Sequence, residues 1–134
     1  MGTTQDFVGA VDGGGYKAVM NAPKTPVQLI DPSFVEGIAS VLLHGQEKYA
    51  ANNWMRGMSW VVVLGSIFRH LFAMARGEEM DRESGLPHCL HAATSLMFWH
   101  WYVFGPAKVQ HKSFDDRVFQ TVPVPTAQPS PYAE

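Results

Sequence analysis

SWVVVLGSIFRHLFAMARGEEMDRESGLPHCLH, residues 59–91, is the stretch that decides the fold. Its first half is apolar on nearly every face and opens on Ser59, a good N-cap, so the pattern predicts a central helix over about 59–76. Glu78, Glu79, Asp81 and Glu83 then crowd into a turn, and Ser84, Gly85 and Pro87 announce a new start. A further helix is expected over about 87–104, stopped by Gly105 and Pro106. The most apolar run, WVVVLGSIF at 60–68, is shorter than the roughly 20 residues a bilayer span needs and ends in Arg69 and His70, so no membrane segment is expected.

Toward the N-terminus, Asp31 makes an N-cap with Pro32 at the first helical position. The segment PSFVEGIASVLLHGQEKYAANNW at 32–54 places Phe34, Ile38, Val41, Leu42 and Tyr49 on one stripe. Glu36, Ser40, His44 and Glu47 fall on another face, and a turn over 52–57 leads into the central helix. Residues 1–30, with the glycine run at 13–15 and Pro23 and Pro26, read as an extended arm. From 107 the chain becomes polar, and QTVPVPTAQPSPYAE at 120–134 is proline-rich. The organisation expected is thus an arm over 1–30, a helical core over 31–106 and a tail over 107–134.

Strict period-two alternation is almost absent, which makes the fold class all-α. Three helices offer little room for Trp60, Phe68, Phe72, Phe98, Trp99 and Trp101, so the bundle is expected to be completed by oligomerisation, as a homodimer or homotetramer. With 134 residues, 46% hydrophobic and 16% charged, the chain holds one domain's worth of core. A net charge of -2 gives no signal for nucleic acid as a partner. Cys89 is the single cysteine, so no intramolecular disulfide forms and a reducing, cytoplasmic setting is expected. The N-terminal MGTTQDFVGAVDGGGYKAV lacks the charged start and apolar core of a signal peptide.

The chemistry concentrates in GEEMDRESGLPHCLH at 77–91. Glu78 and Asp81 stand three apart, which puts both carboxylates on one helical face if the central helix runs that far, and such pairs chelate hard divalent cations. His88 and His91 repeat the spacing on the next helix, so their imidazoles point the same way. The plainer alternatives stay open: an acidic run is often a solvated turn, and a helix start tolerates polar residues. HD, HExxH, GxxxxGK[ST] and GxSxG motifs are all absent, which removes support for HD phosphohydrolases, zincins, P-loop enzymes and serine hydrolases.

HGQEKYAANNW at 44–54, FRHLFAMARGEEMDRESGLPHCLHAA at 68–93 and the lysine-containing NAPKTPVQLIDP at 21–32 together resemble the phage dATP/dGTP diphosphohydrolases of the MazZ type, grouped with the MazG-like all-α nucleotide pyrophosphohydrolases. The resemblance covers about 21–104. MazG enzymes pair an ExxE with an ExxD, whereas here a single ExxD, Glu78 to Asp81, is followed by an HxxH. The resemblance implies hydrolysis of a purine deoxynucleoside triphosphate, dGTP or dATP, to the monophosphate and pyrophosphate. In phages that replace adenine by 2-aminoadenine, such enzymes supply dGMP for the modified nucleotide.

On that reading a divalent metal, Mg²⁺ or Mn²⁺ with Co²⁺ also suited, neutralises the phosphates and activates water. Its expected ligands are Glu78, Asp81 and His91, with Glu36 or Glu47 from the preceding helix, and His88 as ligand or orienter. Glu78, Asp81 and His91 are the expected catalytic residues. Lys24, Lys48 and Arg69 are expected to meet phosphate oxygens, Tyr49 or Trp54 to stack on the purine, and Asn53 to read a polar edge or the sugar. His70 belongs with the substrate-binding set, or else is a buried histidine bonded to a helix carbonyl. Tyr49 and Trp54 equally suit a core or interface role. The alternative function is a structural metal-binding or assembly module without catalysis.

Overall fold

The structure, a computed structural model, describes residues 24–119; most of the expected arm, with its glycine run, and the proline-rich stretch from 120 lie outside the described residues. The chain divides into two units, 1–35 and 36–134. In the first, the 3-10 turn Val27–Leu29 precedes Asp31, whose carboxylate accepts from the Ser33 backbone N–H at 3.0 Å and from the Ser33 hydroxyl at 2.7 Å. That side chain satisfies donors that a helix start leaves without intrahelical partners. The helix it opens, α1, is Pro32–Gln46.

Regular structure among the described residues is helical: α1, α2 (Trp60–Ala75), α3 (His88–Phe104) and the short α4 (Lys108–His111), with 3-10 turns at Asn53–Arg56 and Lys112–Phe114. Extended pairing among the described residues is limited to one isolated antiparallel bridge between Met80 and Pro87. The all-α expectation holds. No helix among the described residues is long and apolar enough to cross a membrane.

Within the second unit, α1 stops well short of the expected 54. The Lys48 and Tyr49 amides both bond the Gly45 carbonyl, and the chain turns away through Asn52, in the left-handed region at φ 58°. Val41 is buried and Ile38 and Leu42 are half-buried, but Tyr49 leaves the stripe and is exposed. Helix-forming residues in EKYAA are overridden by the turn that follows them.

At the start of α2, Ser59 Oγ accepts from the Val62 N–H at 3.2 Å, as an N-cap should. Its end falls where the sequence puts it, near 76, so the condition under which Glu78 and Asp81 would share a helical face is not met. Gly77 adopts φ 86°, its amide bonds the Met74 carbonyl at 2.9 Å, and the Glu78 amide reaches back to the Ala73 carbonyl at 2.9 Å. These two bonds are the Schellman pattern, which needs a left-handed residue just past the helix and so favours glycine there. The acidic run is therefore a folded loop.

That loop returns the chain antiparallel, and α2 and α3 pack along each other around Trp60, Val63, Ile67 and Tyr102, with Leu64, Phe98, Trp99, Trp101 and Val103 at the margin. Each large apolar side chain so buried contributes about 1.5–3 kcal/mol. α1 meets α3 at Gly37, where even a methyl group would lie 2.5 Å from a Leu90 methyl. Residues counted with the tail from 107 also pack. His111 is buried with its ring 5.1 Å from that of Tyr102, and the Arg117 guanidinium lies 5.0 Å from the Trp60 ring centre. Aromatic burial near Trp60 is thus met within the chain, while Phe68 and Phe72 on the other face of α2 stack on each other and stay exposed.

Candidate functional site

The loop between α2 and α3 is tied at several points. The Asp81 amide bonds the Leu86 carbonyl at 2.8 Å, the His88 amide bonds the Glu79 carbonyl at 2.8 Å, and Gly85, at φ 71°, donates to the Asp81 carbonyl. Asp81 Oδ1 accepts from the Glu83 and Ser84 amides at 2.8 and 2.9 Å. The carboxylate is thereby held by an Asx turn, with Oδ2 directed toward His88 Nδ1 at 4.0 Å.

Three donors converge there: His70 from the middle of α2, Asp81 from the loop and His88 from the first turn of α3, with ligand atoms all within 4.8 Å of one another. The Nδ1 atoms of His70 and His88 are 2.8 Å apart. His88 is buried and its Nε2 lies 2.8 Å from Glu78 Oε2. His91, one turn further along α3, stacks on His70 at 4.7 Å and 9° and places Nε2 2.7 Å from Ser84 Oγ.

Burial holds the His70 imidazole below its ordinary pKa, and the neighbouring His91 and His88 push the same way. Burial likewise lowers His91. For Asp81, burial by itself would raise the carboxyl, but the Ser84 N–H and the facing histidines outweigh it and the net shift is downward. His70 and His91 are thus held toward the uncharged form and Asp81 toward the ionised form, the states in which these side chains ligate cations. Two imidazoles and one carboxylate suit Mn²⁺, Co²⁺ or Zn²⁺ more closely than Mg²⁺, which prefers oxygen alone. The residues fit a divalent ion.

His70 and Asp81 open onto a cavity of about 900 Å³ that is also lined by His91 and Ser84. Across it stand Lys48, Tyr49, Asn53 and Trp54 from the segment after α1, and Lys48 forms an ion pair with Glu83 on the acidic loop. Trp54 stacks on Phe98 at 4.8 Å and 19°, meets Trp101 edge-on at 5.5 Å, and its carbonyl accepts from the Tyr102 hydroxyl at 2.5 Å. One side of the cavity is therefore aromatic and rigid, the opposite side polar and rich in nitrogen and oxygen donors.

A family model described as dATP/dGTP diphosphohydrolase, N-terminal, matches residues 15–117. The chain belongs to this family. The dATP/dGTP diphosphohydrolase of Salmonella phage PMBT28 is 41% identical to it over 78 residues, which are 58% of this chain and 27% of that protein. The chain thus spans little more than a quarter of the length of the curated relative it matches. No solved structure matches it.

In this member of the dATP/dGTP diphosphohydrolase N-terminal family, the residues singled out in the sequence fall into three groups. Asp81, His91, Lys48, Tyr49, Asn53, Trp54 and His70 line one cavity, and His88 joins the donor trio from behind it. Glu78 is set further back still, on the far nitrogen of His88. Glu36 and Glu47 are exposed on and just after α1, outside the trio, with Glu47 Oε2 3.9 Å from His44 Nδ1. Arg69 is exposed and does not line the cavity; its guanidinium lies back over Gly65, so the cost of burying its charge does not arise. Lys24 belongs to the leading unit, where it is exposed.

His70, expected among the substrate contacts, stands in the donor trio, and Ser84 and His44, which carry no site signal in the sequence, also face the cavity. A signal for His70 was present: Gly77 at a helix C-terminus implies a turn back, which carries the residues before it alongside the start of the next helix.

Proposed function

We propose that the chain carries the hydrolytic site of a metal-dependent enzyme that cleaves purine deoxynucleoside triphosphates, dGTP or dATP, to the monophosphate and pyrophosphate. The observation that carries this reading is the His70, Asp81 and His88 trio at the wall of a cavity large enough for a nucleotide. Membership in the dATP/dGTP diphosphohydrolase N-terminal family and the activity for which the Salmonella phage relative is named support it. On this reading the enzyme works in the host cytoplasm, supplies dGMP for 2-aminoadenine nucleotide synthesis, and acts as a homodimer or homotetramer through the exposed apolar face of α2.

His70, Asp81 and His88 would hold the cation. When bound, it neutralises phosphate charge and lowers the pKa of water, with Mn²⁺ or Co²⁺ suited by the imidazoles and Mg²⁺ by cellular supply. His91, depressed by burial and hydrogen-bonded to Ser84, accepts the proton of the attacking water. Lys48 releases Glu83 and meets phosphate oxygens, an exchange that is inexpensive because exposed ion pairs are worth only about 0–1 kcal/mol. The apolar wall of Trp54 and Phe98 receives the purine, and Asn53 bonds its edge or the sugar.

The test is a product assay with each of the four dNTPs and Mn²⁺, Co²⁺ or Mg²⁺. Release of dGMP or dAMP together with pyrophosphate is expected. Tripolyphosphate or inorganic phosphate would place the cleavage at another bond, and the absence of turnover with every ion would sink the reading.

A further inference from the structure

Glu78 and Asp81 look equivalent in sequence, a pair of carboxylates at ligand spacing, but the structure gives them different neighbours. Asp81 joins the trio and lines the cavity. Glu78 does neither: its Oε2 lies 2.8 Å from His88 Nε2, the ring nitrogen that points away from His70. The buried imidazole of His88 therefore spans the distance between the two carboxylates.

We propose that Glu78 is a positioning residue, which fixes the His88 tautomer so that the Nδ1 lone pair is presented to the cation site, and that it is not itself a ligand. The inference rests on the metal reading given above. An ionised carboxylate only accepts hydrogen bonds, so a nitrogen 2.8 Å from it carries the proton. The single remaining lone pair of a one-proton imidazole then sits on Nδ1. That lone pair then accepts from His70 Nδ1–H at 2.8 Å, which gives the His70–His88 contact a consistent donor and acceptor.

Without Glu78, the His88 proton is free to move to Nδ1, the position a cation needs vacant. The backbone around Glu78 makes the arrangement stiff. Its amide is held by the Ala73 carbonyl in the α2 stop, and the adjacent Glu79 carbonyl accepts from the His88 amide, so carboxylate and imidazole are fixed from both sides. Partners of this kind change metal affinity by about 10- to 100-fold when removed.

The test uses the full chain with Glu78→Ala, Glu78→Gln and Asp81→Asn, and two readouts. Long-range ¹H–¹⁵N NMR of the metal-free protein reports which nitrogen of His88 carries the proton. Calorimetric titration with Co²⁺ and Mn²⁺ reports affinity. The expected result is Nε2–H in the wild type, loss of that preference in Glu78→Ala with affinity down about 10- to 100-fold, and recovery of both in Glu78→Gln, whose amide oxygen still accepts. An unchanged His88 tautomer in Glu78→Ala would overturn the proposal. So would a Glu78→Gln variant that loses as much affinity as Asp81→Asn, because a direct ligand needs its charge. A wild-type chain that binds neither ion overturns the metal reading and the cation half of this inference, while the NMR result separately decides whether Glu78 sets His88.

Discussion

Asp116 caps the first turn of α2 from 57 residues beyond Ser59: its Oδ2 accepts from the Ser59 hydroxyl at 2.6 Å while Oδ1 accepts from the Val61 amide at 3.0 Å. Ser59 in turn accepts from the Val62 amide, so two side chains distant in sequence satisfy the helix start jointly. Ser59→Ala removes the local half and should cost about 1 kcal/mol, the usual worth of an N-cap. Asp116→Ala should also lower the melting temperature. If thermal melts of both variants overlay the wild type, the clasp contributes nothing.

The acid sensitivity of the same contact follows from its sign. The Ser59 hydroxyl, with the Val61 amide, holds Asp116 below the ordinary 3.8. Its stabilisation is thus present above that value and is lost as pH falls through the lower folded value. Asp116→Asn should flatten the acid limb of a stability-versus-pH curve; an unchanged limb would remove the residue from it.

At the alkaline end the relevant group is Tyr102. Burial pushes its phenol up to about 12 from 10.0, and the hydroxyl needs its proton to bond the Trp54 carbonyl. A raised acid stabilises fully below the unfolded pKa and loses that contribution as pH rises through the folded one. Wild-type stability should therefore fall between pH 10 and about 12. Tyr102→Phe should be less stable at neutral pH by about 1 kcal/mol and should fall less steeply in alkali. Equal slopes in urea melts across that range would contradict this.

Asp81→Asn separates the two jobs of that side chain. The amide oxygen can still accept from the Glu83 and Ser84 amides, so the loop should keep its fold, but the charge facing the histidines is gone. Turnover should be lost and Mn²⁺ affinity should drop at least about 10-fold, within a near-normal melting temperature. Near-wild-type affinity would exclude Asp81 as a ligand.

Lys48→Ala breaks the pair with Glu83. Because exposed pairs are worth about 0–1 kcal/mol, the melting temperature should barely move. The KM for the nucleotide should rise about 10-fold if Lys48 meets a phosphate, since a lost charged hydrogen bond costs about 1.5–3 kcal/mol. A KM within error of wild type would assign Lys48 to the surface alone.

Helix type and order were legible because the apolar run at 60–68 and the caps at Ser59 and Asp31 are local signals. So was the neighbourhood of the candidate site, since Asp81, His88 and His91 follow one another within a single loop and helix start. The division of labour was not. Spacing treats Glu78 and Asp81 alike, and only the Schellman stop at Gly77 and the Asx turn at Asp81 send one carboxylate behind His88 and the other in front. Nor was the role of 107–119 visible, because a short polar helix has no periodicity long enough to read, yet it delivers His111 and Arg117 against the core.

The stop of α2 just before Gly77 also makes the donor trio a product of one hairpin, drawn from two adjacent helices and the loop between them. A constellation closed by so short an excursion of chain loses little entropy on forming and is assembled by near-neighbour contacts. The mutual register of the three donors is accordingly set inside residues 70–88, by the backbone bonds that tie this one loop, and not by any pairing distant in sequence.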